Sequence, residues 1–376
     1  MKSGVYGIGL KFLAVIVLLF AGMLSGFEIQ AGELALVKGD VWVISPDGTK
    51  HKAEQGEIIT SEEIIETGAN SKAVIKMEDG SEIELGSSTR IQINDPSVEA
   101  RSSLFLFLGR VFAKIIPQKS EEPVFTIESI SCVAGVRGTE FDMAVGMDGS
   151  ALVSVEEGEV ELSGEAGPLN LFSGEEAELT PEGKWQKRKR IKRTEKDWQS
   201  WFQARQQFFI KNSERVINRL VRRTVILQSQ IQRHDLLLRN KQKKLKTLYE
   251  QGRLPYEKAR RIARRQIRTY LRMLSALAKA DSQLRAINFI IWKAEQEIKQ
   301  HPSAYSDEFK KSIADARRKL NQIGIKELHR KNRRMIRTHL LLVIRTAKKY
   351  NLEAELWRNL PPKVRKRILE KAQKKT

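Results

Sequence analysis

Catalysis and metal binding need acids, bases, thiols or imidazoles gathered at close spacing, and this chain of 376 residues gathers few. Its five histidines, His51, His234, His301, His329 and His339, form no pair or triplet at metal-ligand spacing. Cys132 is the single cysteine, so no intramolecular disulfide can form, and its place just before an apolar strand marks it as a small core residue. There is no phosphate-cradling glycine loop, no GxSxG elbow and no HExxH pair. Gly135-x-x-Gly138 enters a strand with no helix behind it, so it is not a nucleotide loop. His339 lies beside Leu340 in a helical pattern and reads as a satisfied or half-exposed structural residue. No catalytic residue, cofactor site or metal ligand is expected, and enzymatic activity has no positive support.

Binding chemistry is better represented. Residues 1–186 carry a net charge of −16 and residues 187–376 a net charge of +37, within a total of +21. At 100° per residue, Arg261, Arg264, Arg265, Arg268 and Arg272 fall opposite the apolar stripe of their helix, and Arg215, Arg219, Arg222 and Arg223 cluster in the same way. Docking against the acidic half would satisfy part of this charge. The surplus fits a polyanion, such as lipid headgroups, lipopolysaccharide phosphates or an acidic wall polymer, or an envelope protein. Nucleic acid would fit the charge equally well, but the export signal described next argues against it.

Lys2 and Lys11 precede an uncharged, largely apolar run, Phe12 to Phe27, of export-signal type. The run is short for a membrane span, which favours cleavage after Ala31 over retention as an inner-membrane anchor. Residues 1–31 are therefore expected to direct export, placing the remainder in the periplasm. The charge break at Lys187-Arg188-Lys189-Arg190 suggests three further parts. These are an all-β domain over 32–186, a basic linker over 187–193 and an all-α region over 194–376.

The acidic half consists of short strands punctuated by glycine. Leu34–Val37 and Val41–Ile44 flank Gly39. Ala73–Ile75 and Ile83–Leu85 flank Asp79-Gly80, a hairpin signal. Leu104–Leu108 and Val111–Ile116 flank Gly109-Arg110, and Leu169–Phe172 and Ala177–Leu179 flank Gly174. A glycine, usually an acid, and then an apolar strand recur at Gly39, Gly56, Gly158 and Gly174, with Gly109-Arg110 as a basic variant. Such spacing predicts a sandwich, roll or β-helix-like stack.

The most specific stretch is Gly135-Val136-Arg137-Gly138-Thr139-Glu140-Phe141. It leads into alternating Phe141, Met143 and Val145, an Asp148-Gly149 turn, and the return strand Ala151–Val155. With the following Glu156-Glu157-Gly158-Glu159-Val160, it resembles the FecR-type periplasmic domain over about residues 34–187. The resemblance implies a binding or signalling module without catalytic residues. It stops at both ends. FecR regulators have a cytoplasmic segment that binds a sigma factor, and here about ten residues precede the apolar run. Their C-terminal portion, which meets an outer-membrane transporter, is replaced by helices. Two functions are therefore expected in order. The first is a non-enzymatic envelope scaffold with a basic helical arm; the second is a periplasmic sensor in signal transduction.

The basic half contains no proline or glycine from Thr194 to Gln251. Trp198, Phe209, Leu220 and Ile231 recur every eleven residues, as do Val216, Leu227 and Leu238, which predicts one nearly straight, coiled-coil-like helix of about 85 Å. Thr194 with Asp197 forms its capping signal. A second helix from Tyr256 to about His301, a third region over 307–350 broken near Gly324, and a short helix over 363–374 complete an elongated hairpin or bundle. Trp198, Trp201, Phe202, Phe208 and Phe209 are expected to join the first helix to the β-domain or to the later helices, or to form a partner patch. The oligomeric state is open.

Overall fold

A computed structural model describes residues 30–77, 79–94, 102–117, 124–164 and 166–352. The apolar run 12–27 and the short helix expected over 363–374 lie outside the described residues.

Seventeen strands come first among them: β1 Gln30–Lys38, β2 Val41–Ile44, β3 Lys50–Lys52, β4 Ile58–Thr60, β5 Ile64–Thr67, β6 Lys72–Met77, β7 Glu82–Leu85, β8 Arg90–Ile93, β9 Ser102–Lys114, β10 Phe125–Glu128, β11 Cys132–Val136, β12 Glu140–Val145, β13 Ala151–Glu157, β14 Glu159–Gly164, β15 Leu169–Phe172, β16 Glu175–Leu179 and β17 Trp185–Lys189. One sheet runs β4-β1-β6-β7-β9-β12-β13-β16-β17. The other runs β3-β2-β5-β8-β9-β10-β11-β14-β15. Strand β9 belongs to both. Its first half pairs with β8 and, in parallel, with β10, while its second half pairs with β7 and β12. The inner faces of the two sheets share one core, with Leu34, Ile65, Leu104, Val111, Ile127 and Phe141 all fully buried. The all-β half is thus a rolled pair of short-stranded sheets.

The recurring glycines have a common structural cause. Gly39, Gly56, Gly158 and Gly174 each stand where the chain leaves one sheet for the other, all with φ between 80° and 87°. Gly109 makes the same crossing inside β9, with φ 99°. A Cβ there would lie 2.4 Å from Thr89 Oγ1, so neither the angle nor the space admits another residue. This corrects one expectation. Leu104–Leu108 and Val111–Ile116 are not two strands around a turn but mostly one strand, ending at Lys114 and bent at Gly109.

The helices are α1 Glu195–Lys211, α2 Ser213–Glu250, α3 Tyr256–Gln300, α4 Asp307–Ile323 and α5 Ile325–Lys349. Thr194 and Asp197 cap α1 reciprocally, with Thr194 N–H donating to Asp197 Oδ2 at 2.7 Å. The single helix expected over 194–251 is broken at Asn212. Asn212 itself leaves the helical conformation, with φ −118° and ψ 32°, while its side-chain amide joins its own backbone N–H in donating to the Phe208 carbonyl, at 3.0 and 2.9 Å. Gly324 separates α4 from α5 in the left-handed conformation expected of a helix end, φ 72°. The eleven-residue stripe is buried as predicted, from Trp198 through Phe209, Leu220 and Ile231. Helices α2, α4 and α5 pack around α3, whose Ala263, Ile267, Leu274, Leu284 and Ile287 are fully buried.

The basic linker expected over 187–193 is also corrected. Lys187, Arg188 and Lys189 belong to β17 and pair with β16, because the carboxylates of that neighbour match their charge. Among the described residues no helix is long and apolar enough to cross a membrane.

Candidate binding site at the sheet–helix junction

The helices rest on the sheets, and β9 is the seat. Leu104 and Leu106 face the core between the sheets, whereas Phe105 and Phe107 face outward into the helical core. The Phe107 ring meets Phe289 of α3 edge-on at 6.2 Å, and the Arg90 guanidinium lies over Phe289 at 4.4 Å while pairing with Glu66. On the other sheet, Ala144 of β12 and Leu152 of β13 pack against Trp198 of α1. The Trp198 ring is held between the guanidiniums of Arg110 and Arg193, at 4.9 and 5.2 Å. The aromatic cluster therefore divides: Trp198 joins α1 to the sheet, while Phe209 meets Phe309 of α4 at 5.7 Å.

Charge fastens the same junction. Lys279 lies 2.6 Å from Glu128, and Arg333 lies 2.7 Å from Glu62. Arg205 reaches Glu178 at 3.3 Å, Arg219 donates to the Pro181 carbonyl at 2.6 Å and Arg215 lies 3.5 Å from Glu182. Glu176, fully buried, accepts from Arg188, from Arg193 and from the Ile191 backbone N–H. Burial pushes its carboxyl up, but those hydrogen bonds prevail and hold it at about 2. Burial raises Asp142 despite Arg110, whose Nε donates to it at 2.8 Å, and raises Asp148 despite the Ser150 N–H and Arg205. Part of the basic surplus is thus satisfied by docking. Arg223, expected on a free basic face, donates instead to Gln283 of α3 at 3.0 and 2.8 Å.

A cleft of about 280 Å³ opens at the junction. Gly86, Ser87, Ser88, Arg110 and Met147 line its sheet side, Trp198, Gln199, Phe202, Gln203 and Gln206 its α1 side, and Lys293 and Glu297 its α3 side. Hydroxyls, amides, an aromatic edge and mixed charges suit binding of a polar ligand or peptide. Among the described residues no group of three His, Cys, Asp or Glu side chains could hold a metal ion.

The motif residues lie away from this cleft and form a corner. Gly135 and Val136 end β11, Arg137 is exposed, Gly138 turns with φ 64° and Glu140 and Phe141 open β12. A Cβ on Gly138 would stand 2.8 Å from Pro117. Thr139 Oγ1 donates to the Glu159 carbonyl at 2.9 Å, tying this crossing to the next one at Gly158. Glu140 pairs with Lys114 at 2.6 Å, and Phe141 is fully buried. Arg261, Arg264, Arg265 and Arg272 are exposed on α3, outside the cleft; the side chain of Arg268 lies outside the described residues.

Sequence reasoning missed Phe105, Phe107, Arg110, Glu128 and Lys279. One signal was available: Leu104 to Leu108 is apolar at every position, and a strand apolar on both faces must be covered on both. The pair partners are far apart in sequence and leave no local trace.

Residues 63–161, from the loop before β5 into β14, match the family model described as FecR protein. Two crystal structures of proteins described as candidate anti-sigma factors from Parabacteroides distasonis ATCC 8503 are similar to the chain. One, at 2.50 Å, is 17% identical with a TM-score of 0.31, over 34% of this chain and 59% of that one. The other, at 1.65 Å, is 18% identical with a TM-score of 0.32, over 41% and 74%. The chain thus spans about three-fifths of the first of these proteins. No curated protein sequence matches the chain.

Proposed function

With a FecR domain in this chain as the premise, we propose that the protein is a non-enzymatic regulator of the cell envelope. In this reading it works outside the cytoplasm, senses through its FecR domain and presents that state through the helices. The family match supports a regulator over the scaffold that sequence reasoning placed first. The carrying observation is the seating of the helices on β9, the strand shared by both sheets. A ligand entering the junction cleft would touch Arg110 of β9, Trp198 of α1 and Lys293 of α3 together, so binding there would bear on how the two regions sit. The test is to delete the gene in its host and compare transcripts with the parent strain under envelope stress. A confined set of altered transcripts, restored by the wild-type gene, is expected. Unchanged transcription across those conditions would overturn the regulator reading.

A second reading rests on the exposed arginines of α3. Arg261, Arg264, Arg265 and Arg272 share a face turned away from the buried stripe, and that face suits contact with an envelope polyanion such as anionic lipid headgroups.

A further inference from the structure

The charged groups around the junction cleft are already matched. Arg110 lies 2.8 Å from Asp142 and 3.4 Å from Glu195, and Lys293 lies 3.7 Å from Glu297. Two cations and two carboxylates line the cleft, so a charged ligand would have to break one of these pairs to find a counter-ion. What the lining leaves unmatched is neutral. Gln199, Gln203 and Gln206 stand at i, i+4 and i+7 along one face of α1. Among the described residues the Gln199 and Gln203 amides and the Ser88 hydroxyl make no side-chain hydrogen bond, whereas Gln206 is engaged by Tyr305. The Ser87 hydroxyl donates to the Ser71 carbonyl at 3.5 Å and keeps its lone pairs.

On the premise that this cleft is the ligand site of the regulator, we propose that it takes a neutral sugar ring. An amide and a hydroxyl each donate and accept, and so does every hydroxyl of a sugar, so the unmatched groups of the cleft and of the ligand answer one another. Half-buried Phe202 supplies an apolar surface beside them, suited to the C–H face of the ring. At about 280 Å³ the cleft lies at the small end of ligand sites, which fits one ring better than a long chain. A peptide would bring main-chain N–H and C=O groups, which an open strand edge meets best. None is offered here. The sheet side of the cleft is the turn at 86–88 and β9, and β9 has a paired neighbour along both edges.

The test titrates the full-length protein by calorimetry with glucose, galactose, N-acetylglucosamine and N-acetylgalactosamine. Glucosamine, galactosamine, glucuronate and galacturonate serve as charged counterparts, and N-acetyl-trialanine amide as the peptide. Saturable binding of at least one neutral sugar is expected, with its charged counterparts at least tenfold weaker. Gln199→Leu/Gln203→Leu changes two exposed positions at nearly constant helix propensity, so circular dichroism and melting temperature should match the parent. Its affinity for the sugar should fall at least tenfold. No saturable binding of any neutral sugar up to about 50 mM overturns the proposal. So do charged forms that bind as tightly, affinity unchanged in the double variant, or peptide binding that no sugar displaces. The transcript comparison is independent of these outcomes. Absent sugar binding would leave regulation standing, and unchanged transcription would leave the sugar site standing.

Discussion

The Lys279 ammonium of α3 lies 2.6 Å from the carboxylate of Glu128 at the end of β10, and that carboxylate is only 2% exposed. The pair spans the junction, so its loss reports on docking. Lys279→Met leaves a buried charge without its counter-ion and is expected to cost about 3 kcal/mol in urea unfolding. Glu128→Gln in the same chain should recover most of that loss. An unaffected single variant would mean that the carboxylate is solvated and the helices sit elsewhere.

Glu176 predicts the acid limb of stability. Its carboxyl is held at about 2, below the ordinary 4.5, so its contribution is complete above about 4.5 and is lost as pH falls towards 2. A shift of that size corresponds to about 3 kcal/mol. Asp142 and Asp148 act in the opposite sense. Burial raises both, so each costs stability at neutral pH that is recovered on protonation. Glu176→Gln should lower stability at pH 7 and flatten the decline below pH 4.5, as followed by denaturant melts across pH. A variant with the parent's full acid slope would assign that slope to other groups.

Gly109 and Gly174 separate backbone strain from steric clash. Both have positive φ, but a Cβ on Gly174 meets nothing within 4 Å, whereas on Gly109 it meets Thr89 at 2.4 Å. Gly174→Ala should cost about 1–2 kcal/mol, the price of left-handed backbone alone. Gly109→Ala should cost more than that, because β9 must also move off β8. Thermal melts of the two variants give the comparison, and equal costs would show that the crossing within β9 yields easily.

These glycines also mark how much of the fold was legible beforehand. Gly39, Gly56, Gly158 and Gly174 stood out as a repeat because each sheet crossing needs the same backbone conformation, a purely local demand. The buried stripe from Trp198 to Ile231 was equally visible, since helical period is local too. The break at Asn212 was not, because it is a change in the backbone angles of one residue, with no proline or glycine to mark it. His339 illustrates the limit for the junction and the bundle. Its buried ring lies 2.7 Å from Asp235, whose place 104 residues earlier carries no sequence mark. The charge break near 187 was real, but it located a change in composition and not a gap between bodies.

The exposed face of α3 gives a prediction for the polyanion reading. Replacing Arg261, Arg264, Arg265, Arg268 and Arg272 by Gln keeps helix propensity nearly constant. Binding to phosphatidylglycerol vesicles should fall steeply and the parent's binding should weaken with salt, while the melting temperature changes little. Vesicle binding retained by the five-fold variant at physiological salt would remove this face from the account.

Docking of the helices on the two sheets, to which β17 and its carboxylate partners tether the start of α1, is tested most directly with trypsin. Residues 184–193 hold seven cleavage sites, at Lys184, Lys187, Arg188, Lys189, Arg190, Lys192 and Arg193. As a strand paired with β16, with Arg188 and Arg193 held by Glu176, this stretch should resist brief native digestion and yield only when the whole protein unfolds. Rapid cutting there, with release of a stable acidic fragment ending between residues 184 and 193, would contradict the docked arrangement.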